Sequence, residues 1–383
     1  MGNRSASRSE PGWIERRGDV WFPIALATVV LVSRVLCRGP VYFADGPGMI
    51  GNIVAKIYVI QPPGYWLFMR IAGLFSDPAA AIRGMNFLFS IAGVVVFYYT
   101  ARVFTGAWNA FVGALAYSTV FYVWFSGEIH STYASQILFP VATFYALLRY
   151  DRDHSKWMLG AAALLFSLGA GLRPSDGAFV APMVVYYTLT RMPRRARLPF
   201  LLLIAALCLG WVAPTILAYP KYGGGIVGAG IYMEEIVSAK SIFAGVNLYT
   251  LANSARYAIP LVVAFWPVVA VAVVQGFRNR SDWRVKLMLL WIGPGSLFFV
   301  LILITDPTYL NFLSAAILLL AVSAPRRMLV TALWNAILFL AIRPIPVHNF
   351  AVDVVNSYIT PYTRFGIEHQ WWSSLSRIER SGK

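Results

Sequence analysis

Charge is what this chain has least of. Of its 383 residues only 16 are acidic, and all charged residues together make up 13%, about half the share of an ordinary soluble domain. A water-soluble globular fold is excluded on that ground. Cysteine is almost as scarce: Cys37 and Cys208 are the only two, which offers neither a disulfide framework nor a thiolate metal spacing. Both fall in or beside apolar stretches and read as packing residues. The first apolar run, 20–36, follows a basic segment as a signal peptide would. No small-residue cleavage site follows it at Cys37-Arg38-Gly39-Pro40, so it is read as an anchoring span.

What is abundant is apolar. Hydrophobic residues make up 58% and aromatics 15% of the chain, and the mean hydropathy is +0.64. This is the composition of an all-α polytopic membrane protein. A spanning-length window gives helices near 20–36, 80–104, 107–125, 130–149, 156–172, 175–190, 198–219, 256–276, 285–304, 309–324 and 328–342, about eleven spans, the shorter of which could be tilted or re-entrant.

The net charge of +16 would suit a nucleic-acid partner only if it formed a basic face on a folded domain. Instead it sits in short clusters: Arg4/Arg8/Arg16/Arg17, Arg149/Arg152/Lys156, Arg191/Arg194/Arg195/Arg197, Arg278/Arg280/Arg284/Lys286 and Arg326/Arg327. With the spans above, every cluster falls on one face, which the positive-inside rule makes cytoplasmic. The partner is membrane lipid, not nucleic acid, and the N-terminus is expected in the cytoplasm of a cell with a cytoplasmic (inner) membrane. The other face then holds 38–79, 126–129, 173–174, 220–255, 305–308 and the tail from Arg343. We read 1–342 as one transmembrane domain and 343–383 as an external interfacial tail, with Trp371-Trp372 beside Arg377 and Arg380.

The same parity argues that 65–75 is not a span, because it would reverse every later loop. Trp66, Leu67, Phe68 and Ile71 give it apolar bulk and Arg70 a place among headgroups, so it is expected to be an interfacial helix, with Pro62-Pro63 at its start.

Ten acids lie on the external face: Asp45, Asp77, Glu128, Asp176, Glu234, Glu235, Asp306, Asp353, Glu368 and Glu379. Only Asp45 and Glu128 sit in motifs that also gather glycine, aromatic and hydroxyl residues. A carboxylate costs about 2.5–3.5 kcal/mol at the bilayer centre on insertion scales, so Asp45, just past the first span, asks for a reason. One reading is a catalytic base; the other is a turn, since Asp-Gly-Pro-Gly is rich in turn formers.

The stretches Gln61-Pro62-Pro63-Gly64-Tyr65-Trp66, Ile82-Arg83-Gly84-Met85-Asn86 and Ser126-Gly127-Glu128-Ile129-His130-Ser131-Thr132-Tyr133-Ala134 together resemble the GT-C superfamily of membrane glycosyltransferases. Among its members they look most like the protein-mannosyltransferase and aminoarabinose-transferase-like families. Those share an external first loop with an essential acid, a His/Lys-Pro-Pro start to an amphipathic helix, and a short acidic motif after the third span. Leu172-Arg173-Pro174-Ser175-Asp176-Gly177 looks like the family's span-breaking Arg/Lys-Pro turn, and Tyr309-Leu310-Asn311-Phe312 is a weaker echo. The resemblance reaches to about residue 190. Gln61 departs from it, standing where relatives often carry His or Lys.

The resemblance implies a GT-C-like bundle and transfer of a sugar from a polyprenyl-phosphate donor to a glycan, lipid or protein hydroxyl at the external face, as in cell-envelope glycan biosynthesis. Such a leaving group departs already ionised, so no acid is needed and one base suffices; a glycoside hydrolase needs two carboxylates. Asp45 is the expected base and the transfer inverting. Glu128 is expected to orient the acceptor, or to cap the helix that follows. Arg173 is the expected phosphate ligand, because Pro174 breaks a helix there; its alternative is a snorkelling interfacial cation. Arg256, Arg83 and Arg70 are further cations, and His130, Tyr133, Gln61 and Tyr65 are expected substrate contacts. Arg34, in the first span, reads as paired with an acid or snorkelling outward. The superfamily admits a divalent metal, but no spacing here demands a cofactor.

The glycine- and tyrosine-rich stretch 220–254 reads as a lid or as a connector. A transporter or lipid-linked glycan flippase is the competing class. It would place ionisable residues through the later spans or show an internal repeat; 198–219 and 256–276 hold none except Arg256. A polymerase or ligase of long glycans would differ only in its acceptor.

Overall fold

The computed structural model describes residues 13–36, 46–56, 65–127, 130–217, 248–301 and 310–341. Among them there are helices and connecting turns, and no strands. In chain order they are α1 Trp13–Leu36, α2 Gly46–Val54, α3 Trp66–Ala72, α4 Pro78–Arg102, α5 Ala107–Thr119, α6 Phe121–Ser126, α7 Ser135–Asp153, α8 Lys156–Leu172, α9 Pro174–Thr190, α10 Arg194–Leu217, α11 Leu248–Arg278, α12 Trp283–Leu301, α13 Asn311–Ala321 and α14 Pro325–Ala341. Among the described residues five stretches are long and apolar enough to cross a bilayer unaided: Arg17–Leu36, Pro78–Arg102, Arg194–Pro214, Leu261–Arg278 and Trp283–Leu301. The chain is an all-α polytopic membrane protein.

Local chemistry sets the helix ends. Asp77 caps α4, its carboxylate accepting from the Ala79 and Ala80 amides at 3.0 and 3.1 Å, with Pro78 in the first turn, where a missing N–H costs nothing. Leu172 ends α8 because Arg173 precedes a proline. Arg173 takes the extended conformation that this demands (φ −148°, ψ 97°), and Pro174 opens α9. At the other end of α7, His154 adopts a left-handed conformation at φ 48° and its N–H bonds Tyr150 O.

Several boundaries differ from expectation, and three of them have a local cause or consequence. The span expected at 107–125 is broken: α5 stops at Thr119, Val120 is non-helical, and α6 restarts at Phe121, whose amide donates to Asn335 Oδ1 of α14 at 3.2 Å. A partner 214 positions away satisfies the amide that the break would otherwise orphan. The span expected from 130 starts at Ser135, and 130–134 forms bends and turns. The long external stretch expected to reach Ser254 ends sooner, because 248–259 holds no glycine or proline and the backbone is already helical at Leu248, which places Tyr249 and Ser254 in α11. The remainder of that stretch, 218–247, and the tail lie outside the described residues, as does Cys37. Cys208 is half-buried against Ser167.

Central in the bundle, α4 packs against α1, α5 and α7, and α7 lies in turn against α8, α9 and α13. The α4–α7 contact is close because Gly93 faces Ile137 O: a Cβ added there would sit 2.5 Å from it. Phe97 stacks on Tyr117, Phe144 meets the fully buried Trp291, and Phe179, Phe299 and Phe312 form a second aromatic nest. By contrast α10 is almost entirely peripheral, its Leu202 and Leu209 facing outward, as a lipid-facing helix should. The short α3 buries Phe68, Met69 and Ala72 and leaves Arg70 exposed; seven residues, about 10 Å of helix, are too few to span.

Ion pairs mark one end of the bundle. Asp19 at the start of α1 meets Arg102 at the end of α4, and Arg191 after α9 meets Asp151 of α7. Arg191 also lies over Trp283, and Arg284 over Phe104. These groups belong to the end of the bundle that carries the basic clusters.

Candidate functional site

At the opposite end, polar side chains from five elements converge on one turn. Residues 126–136 link α6 to α7, and in this apolar chain their described members are buried: Ser126, His130, Ser131, Thr132, Tyr133, Ser135 and Gln136. Buried backbone outside a helix needs partners, and distant residues supply them. Asn86 of α4 donates to Ser131 O at 3.0 Å. Asn311 of α13 donates to Ser126 Oγ at 2.7 Å and to Tyr133 O at 3.4 Å. Ser90 and Arg34 lie where a side chain on Gly127 would go, 2.5 and 3.2 Å from that Cβ, so the backbone passes tightly between α1 and α4.

Arg173 is the cation of this site. It is 1% exposed, and its Nη1 donates to Thr132 Oγ1 at 3.3 Å. The Tyr133 ring lies 4.2 Å from its guanidinium carbon and the Tyr65 ring 5.9 Å, both within cation–π range. Its Nε is 3.3 Å from Asp176 Oδ1. That same oxygen accepts from Gln136 Nε2 at 2.6 Å. Thr132, Arg173, Asp176 and Gln136 thus close a ring between the turn and the start of α9. Asp176 Oδ2 has no hydrogen-bond partner among the described residues. Asp176 also lines a void of about 10 Å³ between α7, α8 and α9, together with Thr143.

The expected residues divide as follows. Tyr65, Tyr133 and Arg173 come together. His130 is fully buried in the same turn. Arg173 does not snorkel, and neither does Arg34, which is 1% exposed and turned inward, with Nη2 donating to Ser118 O at 2.8 Å and its guanidinium 5.1 Å from the Trp124 ring. Arg83 is half-buried one turn before Asn86, and Arg70 lies over Trp66 outside the ring. Asp45, Gln61 and Glu128 lie outside the described residues. Arg256 belongs to α11, with its side chain likewise undescribed. Among the described residues no three His, Cys, Asp or Glu side chains converge as metal ligands.

Reading the sequence missed Asp176, Gln136 and Asn311. A signal for Asp176 was there: it lies three positions after Arg173 at a helix start, the spacing that brings two side chains to one face. Nothing local marks Gln136, and Asn311 entered only as part of the weaker Tyr309-Leu310-Asn311-Phe312 echo.

Residues 61–217 match the family model described as dolichyl-phosphate-mannose-protein mannosyltransferase. The match extends beyond the motifs that first suggested the family and holds Tyr65, Asn86, the 126–136 turn, Arg173 and Asp176. It does not reach Asp45, Arg34 or Asn311. No curated protein matches the chain.

Proposed function

We propose that this chain, which its family match supports as a membrane glycosyltransferase of the GT-C type, moves a sugar from a polyprenyl-phosphate donor to an acceptor hydroxyl at the external face of the cytoplasmic membrane. Arg173 carries the reading. Its guanidinium and the Asp176 carboxylate form a buried charge pair at a broken helix in a lipid-embedded bundle, a costly arrangement of the kind that marks functional sites, and a lipid phosphate brings an anion to that depth.

In the proposed reaction the Asp45 carboxylate takes the acceptor's hydroxyl proton. The acceptor oxygen attacks the anomeric carbon from the side opposite the phosphate, so the new glycosidic bond forms with inversion. The anomeric C–O bond breaks, its electron pair stays on the phosphate oxygen, and polyprenyl phosphate leaves with its charge held by Arg173, with Arg256 as a second cation. Glu128 orients the acceptor. Tyr65 and Tyr133 present rings beside the guanidinium, where a sugar can stack. His130 and Gln61 complete the substrate contacts. The acceptor is a glycan, a lipid or a protein.

The test is transfer in lipid vesicles, with purified protein and labelled polyprenyl-phosphate sugars. Replacing a general base costs about 10²–10⁴-fold, so Asp45→Asn should lose transfer on that scale while still binding donor. Full transfer by a folded Asp45→Asn protein overturns the assignment.

A further inference from the structure

Four threonines of the described helices are buried, and one of them behaves unlike the rest. Thr100, Thr188 and Thr331 each donate back to the carbonyl four residues earlier, at 2.8 Å in every case, the usual way for a helix to satisfy a hydroxyl in a dry interior. Thr143 of α7, 1% exposed, makes no such bond, and its Oγ1 has no partner among the described residues. It lines the void of about 10 Å³ between α7, α8 and α9. The one charged side chain on that wall is Asp176. Its Oδ1 is engaged by Gln136 and Arg173, the Ser175 hydroxyl lies beside the same carboxylate, and its Oδ2 is unpartnered like the Thr143 hydroxyl. Elsewhere the wall is hydrocarbon, from Phe139, Leu165, Phe166 and Val180, and glycine, from Gly169 and Gly177. Gly177 cannot grow to fill the space, because its Cβ would lie 2.5 Å from that of Ala170.

We infer that this void is a binding site for a single internal water, which accepts from Thr143 Oγ1 and donates to Asp176 Oδ2. Its volume is about that of one water, and two polar partners are enough to hold one, whereas a void with apolar walls alone stays dry. Two buried polar atoms left unsatisfied on one small space are two separate costs, and one water removes both. The occupant is neutral because Arg173 already balances the charge of Asp176; a cation would leave a net charge inside the bundle. The water holds the carboxylate by its second oxygen while Gln136 and Arg173 hold the first, so Thr143 positions Asp176 without touching it. None of this depends on what Arg173 binds.

Thr143→Val keeps the shape and removes the hydroxyl, and the sign of its effect decides. Around a dry void the hydroxyl is an unsatisfied burden, and valine would raise the melting temperature of the full chain in detergent. With the water bound, valine takes away one of its two partners and should lower the melting temperature, by about 2 °C; a rise overturns the inference. Water-edited solid-state NMR of the threonine-labelled protein in bilayers reads the site directly and does not need the valine variant to fold. The Thr143 signal, identified as the one that Thr143→Ser removes, should take up magnetisation from water, and those of Thr100, Thr188 and Thr331 should not. A Thr143 signal as dry as those three overturns the inference. Sodium, potassium and choline chloride at equal concentration should give the same melting temperature. Stabilisation by one metal cation that Thr143→Val abolishes would put that cation in the void instead, and would overturn the water.

Discussion

Two ion pairs at one end of the bundle and one at the other are held in opposite ways. At the end marked by basic clusters, Arg102–Asp19 and Arg191–Asp151 have side chains 21–47% exposed, and both oxygens of each aspartate are engaged. At the other end, Arg173 and Asp176 are 1% and 3% exposed and share one oxygen. Pairs in water gain little and risk little, typically about 0–1 kcal/mol. A buried pair costs desolvation of two ions, and losing either partner leaves the other charge stranded. Retaining the costlier pair in the weaker geometry makes sense if the guanidinium has a second task.

The largest effect that would break this contrast is Arg173→Ala. It strands Asp176 and Gln136 in a dry interior, so a loss of about 3–5 kcal/mol is expected, read as a lowered melting temperature in detergent, together with loss of transfer. A melting curve like the parent's would mean that water reaches the pair and that the two ends do not differ. Arg173→Lys keeps the charge but loses the planar fork that meets Thr132 and stacks on Tyr133. It should recover much of the stability and little of the transfer.

Which parts of this were legible in the sequence follows from the range of the forces involved. The spans were legible because desolvation acts on each apolar window separately: 156–172 was read to the residue and 175–190 to within one. Arg173 was legible because Pro174 acts on its immediate neighbour. The break at Val120 was not, because no proline or glycine causes it and Asn335 permits it from another helix. Gln136 was hidden for the same reason, its partner lying 40 positions away. Asp176 was visible among the external acids and passed over, because the residue that marks it, Gln136, comes from another helix.

A middle-sized effect tests whether the site end depends on close packing as well as on charge. In Gly93→Ala the new methyl meets Ile137 O and C at 2.5 and 2.8 Å. A backbone atom cannot rotate aside, so α4 and α7 must separate, at about 1–3 kcal/mol. Gln136 adjoins Ile137, so binding of polyprenyl phosphate should weaken as well. Gly160→Ala, with nothing within 4 Å of its Cβ, is the matched control and should change neither. Asn311→Ala should cost a similar 1–3 kcal/mol or so, because Ser126 Oγ and Tyr133 O lose a buried donor. A transfer defect in that variant would show that a helix outside the family match helps to shape the site.

The smallest expected effect is at the opposite end, and it sharpens the contrast most directly. Asp151→Asn removes the charge from a forked pair whose arginine is 41% exposed and also rests on Trp283. Water and the indole both remain for Arg191, so the loss should stay below about 1 kcal/mol and shrink further as salt is raised. Binding of polyprenyl phosphate should be unchanged. If Asp151→Asn cost as much as Arg173→Ala, burial would not be what separates the two pairs, and the argument that Arg173 is kept for an anion would lose its premise.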